Sequence, residues 1–324
     1  MKYNFSKENL EKMEAMGARN NFGIALADAG NEDSSIVVVT ADLRDSTKAT
    51  SFANAHPDRF YNTGIAEQNL VTFSAGFAKA GFNVFATSFS CFLAFRACEQ
   101  VRLDVCYNDS NVKMVGVGGG FAFGVQGNTH YSFEELSLLR SFPNITLFSP
   151  SDGSCIYKAV EKAAQIKGPV YIRITSEGPN PTIYSTDWDF KTGKVNWVSE
   201  GKDVAIFATG SMTWKAVKAA SMLSAQGIST AVADVHTIKP FDTEAVKKAV
   251  KTKLVVTVEE HGVTGGLGGL VAETMGDIGN TPPLLRIGIP DVFGQVGTYL
   301  EQMERYGLTA EGIRDRIKEK LAEK

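Results

Sequence analysis

One stretch near the middle of the first half predicts how the chain folds. Residues 84–117 read VFATSFSCFLAFRACEQVRLDVCYNDSNVKMVGV. Two short apolar runs, Val84–Thr87 and Val112–Val117, flank a segment of helical pattern, Phe92–Tyr107. Near-continuous apolar runs suit parallel strands that are buried on both faces. The stretch therefore predicts a strand–helix–strand unit of an α/β fold.

The same alternation continues in both directions along the chain. Further apolar runs predict strands at Ile36–Thr40, Ile145–Phe148, Val170–Ile174, Val204–Ala208, Thr230–Val235, Leu254–Glu259 and Leu284–Ile287. Helical patterns lie between them, at Asn69–Ala80, Ser151–Gln165, Thr213–Gln226 and Thr243–Lys251. Asp152 and Asp242 are candidate N-caps for two of these helices. The fold class is therefore α/β, with two doubly wound domains.

A segment without helical periodicity separates the two sets of elements. Residues Ser176–Lys202 carry Pro179, Pro181 and several polar residues, as linkers commonly do. We place the domain boundary here, with domains at residues 1–187 and 188–324.

Composition excludes several classes of protein. The 324 residues are 44% hydrophobic and 21% charged, which excludes a disordered chain. A net charge of −3 gives no electrostatic signal for binding nucleic acid. The most apolar stretch, Leu70–Ala86, is interrupted by Lys79, Asn83 and two glycines, so we expect no membrane segment. The four cysteines form no CxxC pair, and the start of the chain is not a signal peptide, so we expect a cytoplasmic protein.

Common catalytic signatures are missing from the sequence. The glycines at 116–120 and 265–269 do not fit the GxGxxG spacing of dinucleotide-binding sites. No GxxxxGK[ST], GxSxG or HExxH motif occurs, and the four histidines are far apart in sequence. These absences disfavour a conventional oxidoreductase, kinase, serine hydrolase or zinc enzyme. Taken alone, Glu67 is one of many carboxylates, His130 could be a structural loop residue, and Phe89, Phe92 and Phe95 could be core aromatics.

Several segments, taken in order, resemble one known family. These are Asp42-Leu43 with Ser46, FYNTGIAEQN (60–69), TSFSCFLAFRACEQVR (87–102), GGGFAFGVQGNTHYSFEEL (118–136), GPVYIRI (168–174), DVHTIKPFD (234–242) and VVTVEEHGVTGGLGG (255–269). The set resembles the C-terminal half of transketolases, which consists of a pyrimidine-binding domain and a transketolase C-terminal domain. We expect residues 1–187 to form the first and residues 188–324 the second.

The resemblance implies thiamine diphosphate as the cofactor and a transketolase activity, the transfer of a two-carbon ketol unit from a ketose to an aldose. By family match, Glu67 hydrogen-bonds N1′ of the aminopyrimidine and so activates the cofactor. Phe92 stacks on that ring, Phe89 and Phe95 pack around it, and Asp42 lies beside the cofactor.

The resemblance also suggests a substrate site. His130 matches a histidine that binds the donor's hydroxyl groups beside the thiazolium. Arg19, Ser46 and Arg173 match positions that bind the substrate's phosphate. Gly118 and Gln126 depart from the family pattern of a histidine and an aspartate, which predicts an altered sugar specificity.

The chain lacks the family's GDGxxxN-type motif for the diphosphate and its metal. We therefore expect a split transketolase, in which a separate N-terminal subunit holds the diphosphate and Mg²⁺ or Ca²⁺, in a heterotetramer. No metal ligand is predicted on this chain. The alternatives are a 2-oxo acid dehydrogenase E1 β-type subunit, a deoxyxylulose-phosphate-synthase-like subunit, or a non-catalytic structural module. His261 could reach the substrate channel or be architectural.

Overall fold

A computed structural model describes residues 5–175 and 178–323. Within these residues the strands form two sheets. The strands of the first are β1 (Ile36–Thr40), β2 (Phe60–Asn62), β3 (Asn83–Phe89), β4 (Val112–Gly119), β5 (Thr146–Phe148), β6 (Val170–Thr175) and β10 (Thr237–Lys239). Those of the second are β7 (Asn196–Ser199), β8 (Val204–Ala208), β9 (Thr230–Asp234), β11 (Leu254–Gly262) and β12 (Leu284–Ile289).

Helices connect most of the strands. They are α1 (Lys7–Glu32), α2 (Thr50–Ala55), α3 (Glu67–Lys79), α4 (Cys98–Gln100), α5 (Glu135–Arg140), α6 (Gly153–Gln165), α7 (Met212–Ser224), α8 (Thr243–Ala249), α9 (Leu267–Ile278), α10 (Tyr299–Arg305) and α11 (Ala310–Ala322).

Both sheets are parallel except at one edge each. The first has the order β10-β5-β6-β4-β3-β1-β2, and only β10 is antiparallel to its neighbour. The second has the order β12-β11-β8-β9-β7, with β7 antiparallel to β9. Every residue of β1, β3, β4 and β6 is buried, as expected for strands covered by helices on both faces. The predicted fold class is confirmed.

The predicted strands all exist, and most of their ends lie within two residues of the prediction. Three short strands were missed. β2 has only three residues, while β7 lies inside the predicted linker. β10 follows residue 188 in the sequence but pairs with β5 of the first sheet. Short edge strands of this kind depend on tertiary pairing, which periodicity does not report.

The predicted helix at Phe92–Tyr107 is divided. Phe92–Arg96 and Val101–Tyr107 are π-helical turns on either side of the short α4. The Ala97 N–H donates to Phe92 O at 3.3 Å, five residues back. Such wide turns are frequent at functional sites.

Gly17 divides α1 and so sets the direction of the helical turn that carries Arg19. Its φ of 75° is unfavourable for residues with a side chain. A Cβ at this position would also lie 2.4 Å from Gly178 O. The helix packs along α6 on both sides of this break.

A buried polar junction joins the two sheets. The Asp152 carboxylate caps α6 by accepting from Cys155 N at 2.8 Å, and it also accepts from Ile183 N at 2.7 Å. Its neighbour Ser151 donates to Asp234 Oδ2, at the end of β9, at 2.6 Å. Tyr184 donates to the same oxygen at 2.5 Å. The connection between the sheets is thus held by carboxylates rather than by apolar packing alone.

The predicted N-caps Asp152 and Asp242 are both found at the starts of their helices. The predicted linker begins at Ser176, which with Glu177 lies outside the described residues. The domain boundary between residues 187 and 188 stays a prediction. Among the helices of the described part of the chain, none is long and apolar enough to cross a membrane.

We expect Asp152→Ala to lower the free energy of unfolding by about 3 kcal/mol, because two buried backbone N–H groups lose a charged acceptor. Urea unfolding monitored by circular dichroism measures the change. Asp152→Asn, which keeps one side-chain oxygen, should lower the free energy of unfolding by a smaller amount. The exposed Asp277→Ala serves as the control and should change the value by less than about 0.5 kcal/mol. Equal effects of Asp152→Ala and Asp277→Ala would contradict the assignment.

Candidate functional site

The candidate site lies along one edge of the first sheet, where the carboxyl ends of β1 to β4 meet. Ligands of open α/β sheets commonly bind at this edge. The predicted residues follow these strands in turn: Asp42 after β1, Glu67 after β2, Phe89 and Phe92 at the end of β3, and Gly118 and His130 at and after the end of β4.

Glu67 is the first residue of α3, and its side chain is 2% exposed. The positive end of the helix dipole favours a carboxylate at this position. Its Oε2 accepts a hydrogen bond from Arg96 Nη1 at 2.9 Å. The site therefore holds a buried carboxylate whose partner, Arg96, is 51% exposed.

Asp42 and Asn62 connect the ends of β1 and β2. Asn62 Nδ2 donates to Asp42 Oδ1 at 3.1 Å, and Asn62 Oδ1 accepts from Asp42 N at 2.9 Å. The same oxygen accepts from Gly64 N at 3.0 Å. Asp42 has a φ of 59°, a conformation that aspartate tolerates better than most residues. The pair supports the turn that leads to Glu67, and the sequence prediction had not singled out Asn62.

Aromatic rings lie at this edge of the sheet, in a groove lined by Phe92, Phe95, Arg96 and Thr129. The ring centroids of Phe89 and Phe92 are 5.8 Å apart. Phe95 is partly exposed and, with Phe92 and Arg96, lines a cavity of about 480 Å³. The Arg96 guanidinium carbon lies 4.4 Å from the centre of the Phe92 ring. Phe92 is thus close to Phe89 and lines the same cavity as Phe95.

Cys91 lines the same cavity. Burial raises the pKa of its thiol to about 12. The thiol therefore stays protonated at neutral pH and is a poor nucleophile.

His130 lies against this aromatic group. Its ring centroid is 5.3 Å from that of Phe92 and 5.9 Å from that of Phe89. Nδ1 shares a hydrogen bond of 2.9 Å with Thr129 Oγ1. Partial burial lowers the pKa of His130 below its usual value, so the imidazole is neutral at neutral pH and can donate or accept through its other nitrogen.

Arg19 and Ser46 are neighbours, with Arg19 Nη1 at 3.5 Å from Ser46 O. Phe123 connects them to the rest of the site. Its ring lies 5.5 Å from the Arg19 guanidinium carbon and 4.4 Å from the Phe89 ring. The sequence prediction missed Phe123, which lies on the long loop between β4 and α5.

The same ring explains why position 118 is a glycine. Gly118 has a φ of 82°, and a Cβ there would lie 2.0 Å from Phe123 Cε2. Phe123 therefore occupies the space that a side chain at position 118 would need. Gln126, the other predicted departure, is exposed on the 3₁₀ turn Gly124–Thr129 of the same loop.

The structure gives Arg173 a role different from the predicted phosphate binding. Its side chain is 0% exposed and forms an ion pair with Glu135. Nη2 donates to Glu260 O at 2.9 Å and to Ser132 O at 3.2 Å. A phosphate could reach this guanidinium only by displacing buried protein groups. Arg173 instead anchors the end of the loop that carries His130. Its place inside the sheet explains the discrepancy, because a strand residue before the carboxyl edge points into the core.

The charged residues at the end of β11 are also architectural. Glu259 accepts from Leu267 N and Gly268 N, both at 2.7 Å, and so caps α9. Glu260 Oε1 accepts from Phe121 N at 2.7 Å, which holds the start of the loop that carries His130. His261 is fully buried, and burial lowers its pKa to about 4, so its imidazole is neutral at neutral pH.

The groove fits one part of thiamine diphosphate and not the other. A buried carboxylate beside an aromatic ring matches an aminopyrimidine, which has a flat face and ring nitrogens. A metal-bound diphosphate needs several carboxylate or carbonyl oxygens. Among the described residues, no group of three or more His, Cys, Asp or Glu side chains could hold a metal. The described residues can therefore supply the pyrimidine side of such a site.

Two family models match the chain. The model for the transketolase pyrimidine-binding domain matches residues 14–178, and the model for the transketolase C-terminal domain matches residues 193–313.

Similar proteins include components of split transketolases. The chain is 39% identical to one of the subunits of the apulose-4-phosphate transketolase of Phocaeicola vulgatus, over 92% of this chain and 95% of the relative. It is 40% identical to the 6-deoxy-6-sulfo-D-fructose transketolase subunit SqwH of a Clostridium species, over 93% of this chain and 94% of the relative.

A solved structure described as a split-gene transketolase, an inactive beta4 tetramer, is 42% identical, with a TM-score of 0.86 over 93% of this chain and 97% of that one. The two domain matches and these relatives agree with the fold. The chain belongs to the transketolase family and corresponds to the C-terminal subunit of its split members.

Proposed function

We propose that this chain is the subunit of a thiamine-diphosphate-dependent transketolase that activates the cofactor and binds the sugar. The observation that carries the proposal is Glu67, a buried carboxylate at the carboxyl edge of the sheet, which Arg96 links to the ring of Phe92. When bound, thiamine diphosphate supplies a nucleophilic carbon and an electron sink for breaking a carbon–carbon bond beside a carbonyl group.

Glu67 is proposed to hold a proton shared with N1′ of the aminopyrimidine. The carboxylate is 2% exposed, so a ring nitrogen placed against it would be a hydrogen-bond partner for a buried oxygen. Phe92 supplies a flat apolar wall for the ring, with Phe89 and Phe95 packed around it and Asp42 supporting the neighbouring turn. The aromatic residues and Asp42 help to bind and orient the aminopyrimidine, and Glu67 alone holds the proton.

His130 is proposed to hydrogen-bond the donor sugar close to the bond that breaks. Its neutral imidazole is held in place by Thr129 and by the rings of Phe89 and Phe92. Arg19 and Ser46 are proposed to bind an anionic group at the far end of the sugar, with Gln126 near the sugar hydroxyls. Arginine suits this role because its planar fork of donors matches an oxyanion.

The substrate class that we propose is an anionic ketose. The two similar subunits are named for an apulose 4-phosphate and a 6-deoxy-6-sulfofructose transketolase, and both names denote a sugar with an anionic group. Phe123 fills the space that a histidine at position 118 would need, which supports a sugar specificity different from that of a site with this histidine. The ring of Phe123 lies between Arg19 and Phe89, where it presents an apolar wall to the substrate.

The diphosphate and its Mg²⁺ or Ca²⁺ are proposed to be held by a separate N-terminal subunit. The absence of a three-ligand acidic group among residues 5–175 and 178–323 supports this division. A heterotetramer with two copies of each subunit would complete two active sites. We further propose that the complex is cytoplasmic.

Glu67→Gln should slow cofactor activation in the complex of both subunits by at least about 100-fold, because the amide does not take up the proton. The measurement is the rate at which the C2 proton of bound thiamine diphosphate exchanges with deuterium, read by NMR after quenching, which requires no knowledge of the sugar. Glu99→Gln, an exposed carboxylate on the neighbouring helix, is the control. An exchange rate within twofold of wild type would contradict the role of Glu67.

The isolated chain should bind thiamine diphosphate weakly, because residues 5–175 and 178–323 offer no group of three His, Cys, Asp or Glu side chains that could hold the metal of the diphosphate. Titration calorimetry with and without MgCl₂, on the chain alone and on the complex, tests this. Magnesium should strengthen binding only when the partner is present. Tight, magnesium-dependent binding by the chain alone would refute the proposed division of the site.

Arg19→Ala should raise KM for the anionic ketose by about 10- to 100-fold, the effect of losing a charge-assisted hydrogen bond. The complex is assayed with xylulose 5-phosphate, apulose 4-phosphate and 6-deoxy-6-sulfofructose, and with an uncharged four-carbon ketose. The uncharged ketose should be converted as well as by wild type. Arg44→Ala, a nearby exposed arginine, is the control. Equal losses on charged and uncharged sugars would count against an anion-binding role.

A further inference from the structure

Arg96 makes two contacts in the groove at once. Its Nη1 donates to Glu67 Oε2 at 2.9 Å, and its guanidinium carbon lies 4.4 Å from the centre of the Phe92 ring. The side chain therefore bridges the carboxylate and the aromatic ring that the proposed function assigns to the cofactor.

Local structure places the guanidinium there. Phe92 and Arg96 are four residues apart in a helical turn, and side chains at this spacing meet on one face. Glu67 reaches the pair from α3, which packs against this turn. Because Glu67 is 2% exposed, its charge needs a partner, and Arg96 supplies it in the chain alone.

An aminopyrimidine bound as proposed would make the same two contacts. It is also flat and carries N–H groups, and it would lie on Phe92 with a ring nitrogen at Glu67. We propose that Arg96 holds the aminopyrimidine's place in the unloaded subunit and must move away when the cofactor binds. This inference rests on the proposed function and adds that the protein carries its own competitor for the cofactor ring.

Hydrogen bonding gives a reason for the exchange. A guanidinium that donates to Glu67 Oε2 occupies the carboxylate oxygen that a ring nitrogen would need, so the two contacts compete. Moving Arg96 away would free Glu67 for the ring nitrogen at the moment of binding.

The Arg96 side chain borders space into which it can move. Its side chain is 51% exposed, so half of it already faces solvent. It also lines the cavity of about 480 Å³ that Glu134 borders, so a second carboxylate faces the same space. Displacement therefore requires no rearrangement of the backbone.

The test compares cofactor binding to complexes of both subunits that contain wild-type or Arg96→Ala chain. Calorimetry with thiamine diphosphate and MgCl₂ should show Arg96→Ala binding about tenfold more tightly, since no ion pair has to be broken. The advantage should shrink as KCl is raised, because salt weakens the ion pair of the wild type. Arg102→Ala, an exposed arginine of the next turn, should leave affinity unchanged.

A second measurement reports how much thermal stability is lost when Glu67 has no ion-pair partner. Arg96→Ala should lower the Tm of the free chain, and Glu67→Gln added to it should restore part of the loss. Thiamine diphosphate should then raise the Tm of the Arg96→Ala complex more than that of wild type. Equal or weaker cofactor binding by Arg96→Ala would overturn this inference alone. A wild-type complex that binds no thiamine diphosphate would overturn the proposed function as well.

Discussion

The parallel direction of β1 to β4 is the constraint on which the site depends. Parallel strands bring their carboxyl ends to one edge of a sheet, so residues far apart in sequence meet there. Asp42, Glu67, Phe92 and His130 come from four successive connections and lie along one edge of the sheet for this reason. Burial of β1, β3 and β4 on both faces holds the register, since a slip of one residue would turn their side chains to the wrong face.

A buried network then holds the long loop that follows β4. Glu260 accepts from Phe121 N at the start of this loop, and Arg173 donates to Ser132 O near its end. Gly120 and Ser132 also pair with each other, which closes the loop at its base. Phe123 and His130 project from a segment whose two ends are fixed. Breaking the buried Arg173–Glu135 ion pair would leave a charge in the core, which is strongly destabilising.

The sequence predicted the long elements well and the short ones poorly. β1 and β8 begin and end where their apolar runs predicted, because burial on both faces produces an uninterrupted apolar signal. β10 gave no such signal, since it joins the sheet of the other domain by an edge contact. Among the candidate site residues, Arg173 was assigned from its resemblance to a motif, and burial gives it a different role. The roles of Glu67, His130, Arg19 and Ser46 stay predictions that the geometry supports.

The order of residues alone determined the fold class, the family resemblance and the set of side chains available for chemistry. Periodicity and motif order are properties of the sequence, so both can be recognised without a structure. Only the tertiary structure decided which of those side chains reach a common groove. It placed Phe123 in the space beside Gly118 and set Arg96 between Glu67 and Phe92. Glu67 and Arg96, for example, are about thirty residues apart in the sequence. Hydrophobic periodicity reports only local structure, so it cannot predict a contact over that distance.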